Sequence, residues 1–213
     1  MAEMERSQVL LCAGAACVSS GALLIKDALI REIQKNGLEN EVRLVETGCV
    51  GPCNMGPLAI IYPEGVFYQK LLPEDAQEIV EEHLLKGRVV NRLLFQGSEE
   101  ERKKFIQEID FFKKQVKIAL RNCGFINPLN IQEYIARDGY LALGRVLTSL
   151  TPDEVISMIK KSGLRGRGGA GFPTGLKWEF IIKSETTRKY INYNAYVREP
   201  AAFVDISILD ADA

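Results

Sequence analysis

The sequence predicts an α/β chain in two parts: a small thiol-bearing sheet unit at the start, then a helical segment leading into an incomplete second α/β region. Three observations predict it. Short apolar runs with strand character alternate with amphipathic helical stretches before residue 90, and four of the five cysteines stand in two tight pairs at the ends of such runs. Six of the 18 glycines crowd into residues 163–175.

The elements follow in order. Gln8 to Leu11 is a short apolar strand that runs into Cys12. From Ser20 a helix is expected, with Leu24, Ile25, Ala28, Leu29 and Ile33 on one face and a stop near Asn36-Gly37. Val42 to Val45 is the second strand. Leu58 to Tyr62 and Val66 to Gln69 form a hairpin through Pro63-Glu64-Gly65. A last helix begins after Pro73, carries Glu74 and Asp75 in its first turn, buries Ala76, Ile79, Val80 and Leu84, and stops at Gly87. Two strands joined by a helix, then a hairpin and a closing helix, make a thioredoxin-like arrangement.

Composition narrows the function. A hydrophobic share of 46% with 26% charged residues is that of a globular chain. Lys and Arg number 27 against 28 Asp and Glu, so no whole-chain field recruits nucleic acid or an anionic membrane. No run approaches the roughly 20 apolar residues a membrane span needs. Met1–Leu10 carries Glu3 and Glu5 where a secretory signal would be basic and then apolar, so a cytoplasmic protein is expected. The single histidine, His83, speaks against His-rich metal sites and against Ser/His or Cys/His hydrolysis.

The cysteines carry the clearest chemistry. Cys12 and Cys17 form C-x4-C, Cys49 and Cys53 form C-x3-C, and Cys123 stands apart as a structural or incidental thiol. The first pair is placed on a strand-to-helix loop among small residues, the second on the Gly- and Pro-rich loop Thr47–Pro57. Two close pairs suggest a four-thiolate metal site. Zinc accepts such knuckles, although neither pair has the C-x2-C form of common zinc ribbons. A [2Fe–2S] cluster, with two thiolates on each iron, accepts these wider pairs. A thiol–disulfide site would prefer C-x-x-C.

Cys12-x4-Cys17 followed by Thr47-Gly-Cys-Val-Gly-Pro-Cys-Asn-Met-Gly-Pro57 closely resembles the thioredoxin-like [2Fe–2S] ferredoxins, which include the 24-kDa-type subunit of respiratory complex I and relatives in hydrogenases and formate dehydrogenases. The resemblance spans about residues 7 to 90. It implies Cys12, Cys17, Cys49 and Cys53 as the cluster ligands.

A domain covering residues 1–90 is therefore expected. Residues 91–104, which pass from apolar to charged through Gly97-Ser98, read as a linker that runs partly over the first unit. Phe105 to Leu120 shows a broken helical stripe of apolar residues flanked by Lys103, Lys104, Lys113, Lys114 and Lys117, whose basic run reads as a solvated face. Asn130 caps a helix through Arg137, and Tyr140, Leu143, Val146 and Leu147 mark another. Thr151-Pro152-Asp153-Glu154 combines a cap, a first-position proline and a capping-box glutamate, and predicts a helix over about 152–161.

That helix hands over to Gly163-Leu-Arg-Gly-Arg-Gly-Gly-Ala-Gly-Phe-Pro-Thr-Gly175. Glycines let backbone N–H groups gather into an anion nest, and a helix opening at Leu176 adds its N-terminal field, so a phosphate-bearing cofactor is the natural guest. A flexible linker fits poorly beside Phe172, Trp178 and Phe180. A single Arg-Gly-Gly tripeptide lacks the repeats of RNA-binding tracts.

Residues 163–178 resemble the signature of the 51-kDa-type FMN- and NADH-binding subunit of complex I and the related diaphorase subunits of NAD(P)-dependent hydrogenases. The resemblance implies FMN and NAD(P)H as cofactors, with Gly166, Arg167, Gly168, Gly169, Phe172, Lys177 and, further on, Asn194 in contact with them. A ferredoxin domain ahead of such a loop is similar to diaphorase subunits of bifurcating or NADP-reducing hydrogenases. The family continues N-A-D-E-x-x-P-G-x-x-x-D-R. This chain keeps Asn194, Pro200 and Asp205 but has Tyr196 and Val197 for the acidic pair, Ala201 for the glycine and Ile206 for the arginine.

The family pattern extends beyond Ala213, so residues 105–213 are expected to be a truncated N-terminal part of the flavin domain, without complete diaphorase turnover of their own. The expected activity is electron transfer through a [2Fe–2S] cluster as a component of an NAD(P)H:acceptor oxidoreductase. Its partners would be other subunits of a hydrogenase or NADH dehydrogenase-type complex or a redox protein, with no nucleic acid and no membrane insertion. The competing readings are a non-catalytic ferredoxin-like carrier or docking protein from a truncated gene copy, and a zinc-stabilised binding module.

Overall fold

β1 (Ser7–Cys12) lies at the centre of a four-stranded sheet ordered β2-β1-β3-β4, where β2 is Val42–Thr47, β3 Ala59–Tyr62 and β4 Val66–Tyr68. β1 runs parallel to β2 and antiparallel to β3, and β3 and β4 form the expected hairpin. The computed structural model describes residues 5–97, 102–186, 188–190 and 192. Asn194 and the substituted positions Tyr196, Val197, Ala201 and Ile206 lie outside the described residues. The described residues divide into two compact units, one running to Tyr134 and one beginning at Ile135.

In the first unit both faces of the sheet are covered. Val9, Leu11, Ala59, Ile61, Val66 and Tyr68 face a core shared with the helical residues Ile25, Leu29, Ile33, Ile79, Val80 and Leu84. Their strand neighbours Leu10, Cys12, Ile60 and Phe67 point to the other face, because side chains alternate across a strand. There Ile109 completes a second core, with Ile106 and Phe112 packed against it. Each fully buried side chain of this size contributes about 1.5–3 kcal/mol relative to exposure.

The helices depart from expectation in two places. The first helix is split: α1 (Ala15–Ser19) and α2 (Ala22–Lys35) meet at Gly21, whose φ of 96° ends one and starts the other. Cys17 therefore sits on α1 rather than on a loop. Leu24 is 63% exposed, because that break rotates the buried stripe onto Ala22, Ile25, Ala28, Leu29 and Ile33. After α3 (Asp75–Glu78) the chain widens into a π-helical stretch, Ile79–Leu85, that ends at Gly87 as expected. The buried carboxylate of Asp75 accepts from the Leu72 N–H at 2.7 Å and from Arg92 at 2.6 Å, which fixes the start of α3.

Residues after 90 turn back along β4. Leu94 bridges to Tyr68 and Phe105 to Val66, the N–H of Phe67 donates to Lys104, and the short ribbon of β5 (Phe95–Gln96) and β6 (Arg102–Lys103) joins these contacts. An edge strand's unpaired N–H and C=O groups are satisfied in this way. The stripe over 105–120 does not make one helix. Glu108 accepts from the N–H groups of Lys104 and Phe105 and starts a single turn, α4 (Asp110–Lys113) adds another, and turns follow. Ile109 and Phe112 go to the core, whereas Val116 is 88% exposed.

His83 is buried. Tyr68 Oη lies 2.8 Å from His83 Nδ1 and accepts from the Val90 N–H at 3.0 Å, so the hydroxyl donates to an unprotonated imidazole nitrogen. Burial pushes the Tyr68 hydroxyl up to about 12 and the His83 imidazole below its ordinary value. A histidine held neutral by the fold takes up its proton first in the unfolded chain. Stability is therefore fully present above the unfolded value of 6.5 and declines as pH falls through it toward the folded value. Urea midpoints of the first unit are expected to fall between pH 7.5 and 5.5, and a His83→Phe variant is expected to show less of that slope; equal slopes would contradict the assignment.

The second unit carries α6 (Leu141–Ser149), α7 (Pro152–Ser162) and α8 (Thr174–Ile182), preceded at its border by α5 (Ile131–Ala136). The capping box appears as read: Thr151 Oγ1 accepts from Glu154 N–H, Glu154 accepts from Thr151 N–H, and Pro152 opens the helix. Among the described residues of this unit Ile156 is the one buried large apolar side chain, while Leu141, Leu147, Trp178 and Phe180 are exposed.

Candidate metal centre

The parallel pairing of β1 with β2 builds the site. Their register sets Cys12 opposite Thr47, so the loops leaving both strands emerge side by side at the carboxyl end of the sheet. Ala13 N–H donates to Thr47 O at 2.9 Å and Cys12 N–H to Leu58 O at 3.1 Å, which ties the two loops and β3 together. Cys12 closes β1, Cys17 lies on α1, Cys49 follows β2, and Cys53 opens a short 3-10 turn, Cys53–Met55. Cys12, Cys17 and Cys49 are buried and Cys53 is exposed.

The four thiols form one electrostatic group. The Cys12 thiolate is stabilised first by the thiol of Cys17, then by that of Cys49, and further by the backbone N–H groups of Val50 and Gly14, so Cys12 is held well below the usual thiol range despite burial. The negative charge on Cys12 and desolvation push Cys17 and Cys49 up, and Cys53 adds to both effects. Cys53 Sγ itself reaches Gly51 O at 3.5 Å. Cys123 is buried in the same unit.

Two glycines let backbone close on the sulfurs. A Cβ at Gly14 would come within 3.3 Å of Cys49 Sγ, and one at Gly56 within 2.6 Å of Cys17 Sγ. Four sulfur donors, backbone N–H groups aimed at them and a glycine cradle fit an iron–sulfur cluster, whose potential is set by such N–H···S bonds and by solvent exposure. Among the described residues no group of three His, Cys, Asp or Glu side chains is arranged to hold a metal ion as it stands.

The glycine-rich segment is a closed loop between α7 and α8. Its neck is held by Gly166 N–H to Phe172 O at 2.9 Å and Thr174 N–H to Leu164 O at 3.0 Å, and the Arg165 guanidinium reaches across to Gly171 O at 3.1 Å. Gly169 and Gly171 have φ of 97° and 62°, and open space surrounds both. Gly166, Arg167, Gly168, Gly169 and Phe172 thus share this loop, and Lys177 lies in the helix that leaves it; Arg167, Gly168, Gly169 and Lys177 are exposed. Sequence reasoning missed Arg165 as the staple, and it missed Gly175. A Cβ at Gly175 would lie 2.8 Å from Lys160 N, so this glycine lets α8 cross α7, with Lys160 and Glu179 paired at 2.8 Å alongside. Gly175→Ala is expected to destabilise this pair of helices by about 1–3 kcal/mol. Emission from Trp178, the single tryptophan, reads the change directly; an unshifted denaturant midpoint would contradict the crossing.

A thioredoxin-like sheet carrying four clustered thiols, followed by a stapled glycine loop, defines a redox module of iron–sulfur type joined to part of a flavin-binding module. Comparison with known proteins agrees. Residues 1–84 match the thioredoxin-like [2Fe–2S] ferredoxin family, and residues 159–213 match the Nuo51 FMN-binding domain. The match is thus domain by domain, a thioredoxin-like [2Fe–2S] ferredoxin domain first and a stretch of Nuo51 FMN-binding domain after it.

Relatives include HndC of Solidesulfovibrio fructosivorans, a component of an NADP-reducing hydrogenase, 52% identical over 47% of this chain and 20% of that protein. The F 2 component of NADH-quinone oxidoreductase from Rhizobium meliloti is 44% identical over 45% of this chain and 23% of its own length. The chain thus spans about a fifth of these curated relatives. Among solved structures, the thioredoxin-like [2Fe–2S] ferredoxin from Aquifex aeolicus is 33% identical, covering 44% of this chain and 100% of its own, with a TM-score of 0.41.

Proposed function

We propose that Cys12, Cys17, Cys49 and Cys53 hold a [2Fe–2S] cluster and that the chain transfers single electrons as a component of an NAD(P)H-dependent oxidoreductase. The observation that carries this reading is the gathering of four thiols at the carboxyl ends of two parallel strands, under a glycine cradle. When bound, the cluster supplies one-electron chemistry. The chain's own residues do the rest. Cys12, Cys17 and Cys49 provide buried donors, the N–H groups of Gly14, Val50 and Gly51 supply hydrogen bonds to sulfur, and Cys53 gives the site its exposed edge.

We assign the electron-carrying domain to residues 1–90, with 91–104 leading into 105–213, of which the part up to Tyr134 packs with the first unit and the part beyond it belongs to the flavin module. In that part Gly166, Arg167, Gly168, Gly169, Phe172 and Lys177, joined by Asn194, would hold FMN and a nicotinamide nucleotide. The open glycine loop beside the N-terminus of α8 supports an anionic guest there. Partner subunits of a hydrogenase or NADH dehydrogenase-type assembly would cover the apolar side chains exposed on the second unit. No described helix is long and apolar enough to cross a membrane.

The test has two readouts on the anaerobically purified chain. Reductive titration followed by electron paramagnetic resonance is expected to take up one electron per cluster, and FMN is expected to quench Trp178 emission saturably. Multi-electron uptake with disulfide chemistry would overturn the first claim, and unsaturable quenching the second.

A further inference from the structure

The basic run after β6 borders the loop that bears Cys49 and Cys53. Lys117 Nζ donates to Val50 O at 3.3 Å, and the N–H of Gly124 donates to the buried hydroxyl of Thr47 at 3.0 Å. The Phe111 ring lies against Gly51, where a Cβ would come within 3.2 Å of it. Cys53 N–H donates to Gly51 O at 2.9 Å, and Gly51 and Cys53 are both exposed, so Phe111 and Lys117 stand where the cysteine loop meets solvent. Between Phe111 and Arg121 the chain carries four cations, Lys113, Lys114, Lys117 and Arg121, and no carboxylate. Among the described residues no carboxylate pairs with Lys113, Lys114 or Lys117. Phe111, Val116 and Ile118 stand among these cations with 39%, 88% and 82% of their surface exposed. A cavity of about 720 Å³ adjoins them; Val50, Ile60 and Phe112 are among its lining, Lys113 and Lys117 border it, and Glu64 is its one carboxylate. Neither the packing of the sheet nor the set of sulfurs accounts for apolar side chains and cations held out together in this way.

We infer that this face receives an acidic electron-transfer protein, whose carboxylates meet Lys113, Lys114 and Lys117 and whose apolar centre covers Phe111, Val116 and Ile118 at the exposed edge of the cysteine loop. This inference rests on the cluster reading above. The chain as a whole has a formal charge of −1, so the four cations make a local field opposite in sign to the net charge, and that field orients an acidic partner on this side. Apolar side chains at the centre with charges around them are the anatomy of a protein interface. Complementary charge speeds encounter more than it tightens binding, which suits a carrier that must release its partner after one electron. Lys114 follows Phe111 by three residues and so lies on its side of α4, which brings the ammonium to the part of the turn that faces Gly51. Nucleic acid is the other polyanion such cations attract, but it favours aromatic platforms on which bases stack. Here Val116 and Ile118 are aliphatic, and Phe111 is committed to Gly51 and, edge-on, to Phe112 with ring centres 5.1 Å apart.

The test is stopped-flow oxidation of the reduced full chain by cytochrome b5, an acidic haem protein, by cytochrome c, a basic one, and by neutral benzoquinone, each at low and at high salt. Wild type is compared with a Lys113→Glu, Lys114→Glu double variant, in which both changed residues are exposed and Lys117 is left in place. The wild-type rate constant with cytochrome b5 is expected to fall about tenfold or more from low to high salt, and that with cytochrome c not to fall. The double variant is expected to lose a similar factor with cytochrome b5 at low salt while its iron, sulfide and benzoquinone rate stay those of wild type. A cytochrome b5 rate indifferent to salt, or equal in wild type and the double variant at full iron content, would overturn the docking face. So would a parallel loss of the benzoquinone rate, which would show a change in the centre rather than in docking. Saturable binding of a single-stranded RNA oligonucleotide, abolished in the double variant while the cytochrome b5 rates stay alike, would overturn it in favour of nucleic acid. A wild-type chain without iron and sulfide would instead remove the cluster reading, and this inference with it, before any rate is compared.

Discussion

Replacing Cys12 with alanine is expected to empty the metal centre while leaving the sheet folded. Cys12 is the sulfur on which the others converge: the thiols of Cys17 and Cys49 and the N–H groups of Val50 and Gly14 all address it. Alteration of groups around a metal ligand commonly costs about 10–100-fold in metal retention, and loss of the ligand itself should cost at least that. The fold loses only one buried sulfur from a core that keeps Leu10, Ile60, Phe67 and Ile109, a change of about 1–2 kcal/mol. Iron and sulfide content should therefore collapse in Cys12→Ala while far-ultraviolet circular dichroism persists. Cys53→Ser should lose less, since Cys53 is exposed and its replacement leaves the three buried donors in place. Equal iron in wild type and Cys12→Ala would exclude Cys12 as a ligand.

Gly56→Ala isolates the packing of the centre from its chemistry. Gly56 has φ −76° and ψ 162°, a conformation alanine adopts freely, so the backbone raises no objection. The added carbon would nevertheless lie 2.6 Å from Cys17 Sγ and 3.4 Å from Cys53 O. Cys17 must rotate away or the turn must shift, and either displaces one sulfur from the set. Overpacking of this kind costs about 1–3 kcal/mol in the fold. Cluster retention is expected to fall to the level of a Cys17→Ser variant, with a melting temperature only modestly lowered in the metal-free state. Wild-type iron content and spectrum in Gly56→Ala would show that the glycine is not part of the cradle.

The positions of these groups were unequally legible in the sequence. The hairpin at Pro63–Gly65, the helix stop at Gly87 and the capped start at Thr151-Pro152 were readable because each is decided by a few adjacent residues. The two cysteine pairs were readable as a donor set for the same reason, and the parallel strands that unite them followed from a helix between two apolar runs. The stripe over 105–120 was misread because helical spacing did not reveal what covered it: Ile109 and Phe112 serve the second face of the sheet, and Val116 serves none.

A signal for that covered face was present. Val9-Leu10-Leu11, Ala59-Ile60-Ile61 and Val66-Phe67-Tyr68 are continuous apolar runs, which strands buried on both faces require. The contacts of Lys117, Phe111 and Gly124 with the cysteine loop had no comparable local signature, since they join residues far apart in sequence, 67 positions for Lys117 and 77 for Gly124. In the glycine loop the composition announced an anion site. The staple from Arg165 to Gly171 depends on the loop's closed shape, and the spacing alone does not encode it.

Whether these four cysteines hold a two-iron cluster is decided by assaying iron, acid-labile sulfide and zinc together on the anaerobically purified chain. About two irons and a matching amount of sulfide per chain are expected, with little zinc. Stoichiometric zinc without sulfide, or free thiols without metal, would contradict the two-iron reading.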